Sequence, residues 1–242
     1  FQPVKKPEIS ADDVNPIDYF INKRLFDSKI VPAPTADFRS LVKRAYLDLH
    51  GLPPTPYEIY QFRLSWDKNP EKAWDKLLDQ LMESQHFGER SAQHWLDVAR
   101  FAESSGQDRN LVSPYAWRYR DYVIDSFNQD KPYDQFITEQ IAGDLLPHKT
   151  YEEYNNNRIA TGFLTIGTKN IQAQIKQFEA DRNDDQIDAI TRGFLGMTLS
   201  CARCHDHKFD PFSQQDYYGV AGVFNNTYNM DGLYRGNNNT GY

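Results

Sequence analysis

The sequence predicts a mainly α fold: a single helical domain with long loops and an N-terminal arm. Three observations carry that expectation. Apolar residues recur at three- and four-residue spacing along most of the chain, prolines open successive segments with glycine or proline closing them, and no run shows the sustained alternation of a half-buried strand. With 242 residues, the chain is long enough to bury a substantial core.

Residues 1–14 are proline-rich, charged and aperiodic, and read as a linker or arm; residues 15–228 read as the helical domain and 229–242 as a flexible tail. Pro16 stands at a helix start, with Ile17, Phe20, Ile21 and Leu25 on one stripe. A second helix runs from about Asp37 to Leu49 and is stopped by Gly51, Pro53, Pro54 and Pro56. Short helices follow at about 56–65 and 70–83, then a long one from Phe87 to about Ser104. Beyond the polar loop Gly106–Ser113, Pro114 opens a helix through Asn128, and Pro132 opens another to about Leu145. The stretch 151–168 reads as a polar loop followed by an apolar run, Ile159–Ile166, that suits helix or strand. Thr168–Asp181 reads as a surface loop, with Asp184 and Asp185 in the first turn of the next helix, where its dipole favours carboxylates. That helix carries Ile187, Ile190, Phe194, Leu195 and Met197.

Composition narrows the function classes. Hydrophobic residues make up 39% and aromatics 14%, and no apolar run approaches the roughly 20 residues that span a bilayer. The net charge of −7, without a Lys/Arg stripe, argues against nucleic acid as a partner and suits a basic one. The chain starts at Phe1 and reads as a mature or excised piece of something longer.

The chain's only two cysteines lie in Cys201-Ala202-Arg203-Cys204-His205, the C-x-x-C-H spacing of covalent haem attachment. Each thiol adds across one haem vinyl group, and the histidine is then placed under the iron as an axial ligand. A thioredoxin-type pair expects a βαβ setting, which the chain lacks. A structural zinc would need His207 beside Cys201, Cys204 and His205. With both cysteines in the motif, no structural disulfide is expected. Haem c implies export, because its attachment normally happens outside the cytoplasmic membrane, so a periplasmic or otherwise exported location is expected.

The opposite face of the iron decides between electron transfer and small-molecule chemistry. His94 is the first candidate for it, ahead of an open site and of Met230, while Met197 and His207 are poorly placed to reach across the ring. Phe194, Leu195, Leu199, Phe209, Phe212, Tyr217 and Tyr218 are near enough in sequence to wall the ring, and Arg100, Arg118 and Arg120 are candidate propionate partners. Arg203, between the two cysteines, points away from the thioether edge. Asp181, Asp184, Asp185 and Asp188 read as a solvated helix start in preference to a cation site. The run Asp206-His207-Lys208-Phe209-Asp210-Pro211 is a candidate second shell for His205.

Several longer strings carry a resemblance. They include Asp48-Leu49-His50-Gly51-Leu52-Pro53-Pro54-Thr55-Pro56, Ser84-Gln85-His86-Phe87-Gly88-Glu89-Arg90, and His94 through Phe101. Ala116-Trp117-Arg118-Tyr119-Arg120-Asp121, Pro132 to Phe136, Gln140 to Pro147, Cys201 to Pro211 and Asp216-Tyr217-Tyr218 complete the set. Over residues 15 to 227 the chain resembles the planctomycete-type cytochrome c-like domain family, bacterial domains of unknown function. The resemblance implies an exported protein and the middle piece of a larger one, with a haem-binding module before it and a partner domain after it. Together these readings lead to the expectation of a monohaem c-type electron-transfer domain, exchanging electrons with other domains of the same longer chain or with a periplasmic redox protein. The alternatives are a haem enzyme with an open distal site, where His94, Arg90 or Arg100 handles charge on peroxide, oxygen or a carbohydrate-derived substrate, and a non-haem zinc module.

Overall fold

The structure is a computed structural model, and it describes residues 2–9, 15–106, 110–169 and 175–227. Met230 and the tail after 228 lie outside the described residues. Among the described residues the fold is mainly α, with no β-strand and a solitary antiparallel bridge between Ser104 and Val112.

The chain divides into two compact units, residues 1–41 and 42–242, with the division inside the second helix. In the first unit, helix α1 (Pro16–Asp27) is built as its sequence dictates: the Asn15 side chain accepts from Ile17 N–H, and Pro16 occupies the first turn. Lys29 closes it in the left-handed region at φ 57°. No residue of α1 is buried. Asp37 opens α2 (Phe38–Leu49), its carboxylate accepting from Arg39 and Ser40 N–H and from the Ser40 hydroxyl at 2.7 Å.

In the second unit, α3 (Pro56–Trp66) starts on a capping box formed by Thr55 and Glu58. It packs on α4 (Pro70–Met82), which is capped by Asn69 and buries Ala73, Leu77 and Leu81 at four-residue spacing. Helix α5 (Gln85–Val98) stops about six residues earlier than its sequence pattern implies, because Arg100 turns the chain at φ 57°. Beyond it, Ser113 N–H donates to Glu103 O and Ser105 N–H to Leu111 O, both at 2.8 Å. Helix α6 (Ala116–Asn128) lies against α5, and Gly88 allows the close approach: its N–H donates to Asn128 Oδ1 at 2.8 Å, where a Cβ would strike the same side chain.

Helix α7 (Tyr133–Ala142), α8 (Tyr151–Ala160) and the short α9 (Gly162–Thr165) complete the shell around the aromatic core. The sequence stretch read as a polar loop is thus α8, capped by Thr150. Trp95 is central, with ring centroids 5.0 Å from Phe136 and 5.7 Å from both Phe163 and Phe194. Its indole N–H donates to Gln140 Oε1 at 2.8 Å, and the Tyr119 hydroxyl donates to the same oxygen at 2.6 Å. Gln140 is fully buried, so this acceptor makes the polar tips of two core aromatics compatible with burial.

Helix α10 (Ile175–Ile190) begins well before Asp184, so Asp184 and Asp185 sit mid-helix and not in a first turn. It passes into a π-helical turn (Thr191–Leu195), ends at Gly196 with φ 63°, and is followed by α11 (Gln214–Asn225) against its side. The Cys201–His205 motif lies in the connection between these last two helices.

Candidate functional site: the Cys201–His205 turn

Residues Ser200–Arg203 form one 3-10 turn, closed by Cys204. The spacer residues of the motif hold it to the protein. Ala202 is fully buried in the core cluster, and the Arg203 guanidinium lies 3.8 Å from Asp184 and 3.9 Å from Asp181 on α10. Arg203 O accepts from Gln214 Nε2 and from the Tyr218 hydroxyl, both at 3.2 Å and both on α11. Cys201, Cys204 and His205 are correspondingly turned outward: both thiols are exposed and unoxidised, and His205 is exposed. The turn therefore anchors its two spacer residues and presents its three chemically active ones.

The state of His205 is the informative detail. Its Nδ1 lies 2.8 Å from Asp206 O, a pure acceptor, so Nδ1 carries the proton and the Nε2 lone pair is left available. A ligand histidine is usually fixed in this way, by a hydrogen bond from its second nitrogen to a carbonyl or carboxylate. The sequence expectation that the Asp206–Pro211 run serves His205 is met by the Asp206 backbone carbonyl, while the Asp206 carboxylate accepts from Gln214 N–H at 2.8 Å and helps start α11.

His207 has a different occupation. Its side chain is 8% exposed, and Nδ1 accepts the backbone N–H of Asp210 at 2.7 Å and of Phe209 at 3.2 Å. Nε2 must then hold the proton, which it directs to Thr198 Oγ1 at 3.2 Å. With both ring nitrogens engaged, His207 is not free to complete a zinc site with Cys201, Cys204 and His205. Among the described residues no three His, Cys, Asp or Glu side chains are grouped to hold a metal ion.

The carboxylates of α10 resolve into individual roles. Asp184 accepts the Tyr217 hydroxyl at 2.7 Å, and burial together with this carboxylate pushes that phenol upward. Asp188 pairs with Arg192 at 2.7 Å and accepts the Ser200 hydroxyl at 3.1 Å; Arg192, held more firmly protonated by Asp188, also lies within electrostatic reach of Cys201. Asp185 pairs with Arg100 at 2.9 Å. Burial raises its carboxyl, and Arg100 and Lys169 oppose that rise. These carboxylates therefore tie α10 to its surroundings and to the motif turn. Sequence reasoning missed this because their partners lie up to 85 residues away.

The residues expected to wall a ring divide into two groups. Leu199 and Tyr217 are buried in the protein core, and Phe194 and Phe212 pack against it. Leu195, Phe209 and Tyr218 remain outward, at 53%, 83% and 57% exposure. On α11, a Cβ on Gly219 or Gly222 would meet nothing within 4 Å. Two glycines inside a helix cost about 1 kcal/mol each relative to alanine. Both lie on α11, the helix that follows the motif turn and packs against it. The residues present fit a covalently attached haem: thiols for two thioether bonds, an axial nitrogen, and apolar side chains to flank the ring.

The other sequence candidates sit elsewhere. His94 is exposed on α5, and no hydrogen bond or ion pair among the described residues joins it to the motif. It lies one helical turn before Val98, whose side chain approaches within 3.2 Å of a Cβ built on Gly193, in the π turn leading to the motif. Met197 follows that turn and donates its N–H to Thr191 O. Arg120 pairs with Asp121 and Glu103, Arg118 stacks over Tyr115 and Trp117, and Arg90 donates to Gln93.

An all-helical domain with an anchored, outward-facing C-x-x-C-H turn is the class that fold and site together define. Residues 16–229 match the model of a family described as PSCyt2, a protein of unknown function (DUF1549), and the chain belongs to that family. No curated protein and no solved structure matches the chain.

Proposed function

We propose that this chain is a monohaem c-type domain that transfers electrons outside the cytoplasmic membrane, with haem joined to Cys201 and Cys204 and His205 as its proximal ligand. The observation that carries the reading is the arrangement of His205. Its Nδ1–H is committed to Asp206 O, and its Nε2 is left as a donor beside two free, exposed thiols on one 3-10 turn. A bound haem would supply a one-electron couple whose potential depends on the second axial ligand and on the surroundings of the ring.

The chain's own residues do the rest. Ala202, Arg203, Gln214 and Tyr218 hold the backbone of the turn, while the two thiols and the imidazole are exposed. Arg192 keeps a cation within electrostatic reach of Cys201. Leu195, Phe209 and Tyr218 offer the apolar contact that would displace water from a ring. His94 is our candidate for the opposite axial position, and electron exchange would be with other domains of a longer chain or with a periplasmic redox protein.

The test is expression with a c-type cytochrome maturation system. Haem that survives denaturing electrophoresis in the wild type, and is lost in the C201A/C204A double variant, is the expected result. Protein without haem but with one zinc per chain would overturn the reading. Adding CO to the reduced protein then separates the two haem alternatives, since a six-coordinate electron carrier resists CO and an open distal site binds it.

A further inference from the structure

One peptide unit links the imidazole of His205 to the loop that follows it. The Asp206–His207 peptide accepts from His205 Nδ1 at its carbonyl, at 2.8 Å, and donates its own N–H to Phe212 O, also at 2.8 Å. The orientation of that plane therefore decides whether His205 finds its acceptor. Phe212 is itself set by the chain before it, since its N–H donates to Asp210 O at 2.8 Å. The backbone at Phe209 and Asp210 is held by Nδ1 of His207, which accepts both N–H groups. Thr198, just before the motif, is tied to the same point twice: its hydroxyl to His207 Nε2, and its N–H to Asp210 Oδ2 at 3.3 Å.

We propose that His207 is the positioning residue of the motif turn: its ring closes residues 198–212 into a clasp, and the clasp fixes the Asp206 carbonyl that keeps His205 in its Nδ1–H form. The two hydrogen bonds at Nδ1 do the holding, because they fix the path to Phe212. The bond to Thr198 joins this path to the strand of chain entering the motif. The imidazole is well suited to the task, being rigid, nearly buried, and able to accept on one edge while donating on the other.

The claim deepens the haem reading but is tested first without haem. The ring 15N resonances of His205, in haem-free protein at a pH where both histidines are neutral, report its tautomer directly. The wild type is expected to show the Nδ1–H form, with slow amide exchange at Phe209 and Asp210. H207N keeps an acceptor where Nδ1 stood and is expected to retain both features. H207Q and H207A lack it, and are expected to speed exchange at those two amides at least tenfold and to return His205 to a mixture of tautomers. The pairing separates positioning from general destabilisation, since asparagine and glutamine both remove the imidazole and only one restores the acceptor. An unchanged His205 tautomer in folded H207Q, or a wild-type His205 with its proton on Nε2, would overturn the proposal. In haem-loaded protein the same series is expected to shift the midpoint potential in H207Q and H207A and to recover in H207N. An unmoved potential in folded, haem-bearing H207Q would also overturn it. If the wild type takes up no haem, the haem reading falls and the tautomer series still decides the clasp.

Discussion

Replacing Gln140 with leucine removes the acceptor on which the aromatic core depends. Its Oε1 receives the Trp95 indole N–H at 2.8 Å and the Tyr119 hydroxyl at 2.6 Å. After the substitution the indole still has the Tyr119 oxygen at 3.1 Å, but the Tyr119 O–H has lost its acceptor in a site only 2% exposed. One orphaned buried donor costs about 1–3 kcal/mol and the lost indole bond about 1 more, giving about 2–4 kcal/mol in total. For a chain of this size, 1 kcal/mol moves the melting temperature by about 2–4 °C, so Q140L is expected to melt roughly 5–15 °C below the wild type. Circular dichroism melts and urea titrations read this directly. Adding Y119F should not restore stability, because it passes the orphan on to Trp95 Nε1. A Q140L protein within about 1 °C of the wild type, or full recovery in Q140L/Y119F, would refute a network centred on the Gln140 carbonyl.

Three further outcomes follow from the same packing and electrostatics. Burial pushes the Glu139 carboxyl upward, but Lys131 at 2.5 Å, the Tyr122 hydroxyl and Gln135 outweigh it, and the group titrates below its ordinary 4.5. A depressed folded-state value stabilises above the unfolded pKa and is lost on acidification, so the stability gap between wild type and E139Q should be full at pH 7 and close below about pH 4.5 in urea titrations. Gly143→Ala would drive a Cβ into the Asn157 carbonyl on α8 and is expected to cost about 3 kcal/mol, near the top of the usual overpacking range, as seen in thermal melts. Gly219→Ala and Gly222→Ala should each raise the stability of the haem-free chain by about 0.5–1 kcal/mol, because both positions are helical and open; a loss in either would show that the face is occupied.

The elements most legible in the sequence were those with local punctuation. Helices α3 and α4 begin at Thr55-Pro56 and Asn69-Pro70, caps and prolines that act within a few residues and can be read without a fold. Helix α8 was hidden because Tyr151–Asn157 offers no apolar stripe and buries only Ala160 at its end. The early start of α10 was hidden for a related reason: its carboxylates are matched by Arg100, Arg203 and Tyr217, which only the tertiary fold brings near. At the site, the Cys201, Cys204 and His205 spacing can be read from the sequence alone. The division of labour between these residues and their spacers cannot, since Ala202 and Arg203 acquire their anchoring roles from α10, α11 and the core. His207 was visible as part of a dense polar run, but its hydrogen bonds go to backbone N–H groups, and sequence does not show which side chain a turn will fold around.

The most direct test of the account is the pyridine haemochrome spectrum and intact mass of protein matured outside the cytoplasmic membrane, alongside C201A, C204A and the double variant. The account expects one haem per chain in the wild type, with the α-band of a doubly thioether-linked haem, a band shifted to that of a single linkage in each single variant, and none in the double variant. Wild-type protein at the mass of the bare chain, with both thiols still titratable, would contradict it.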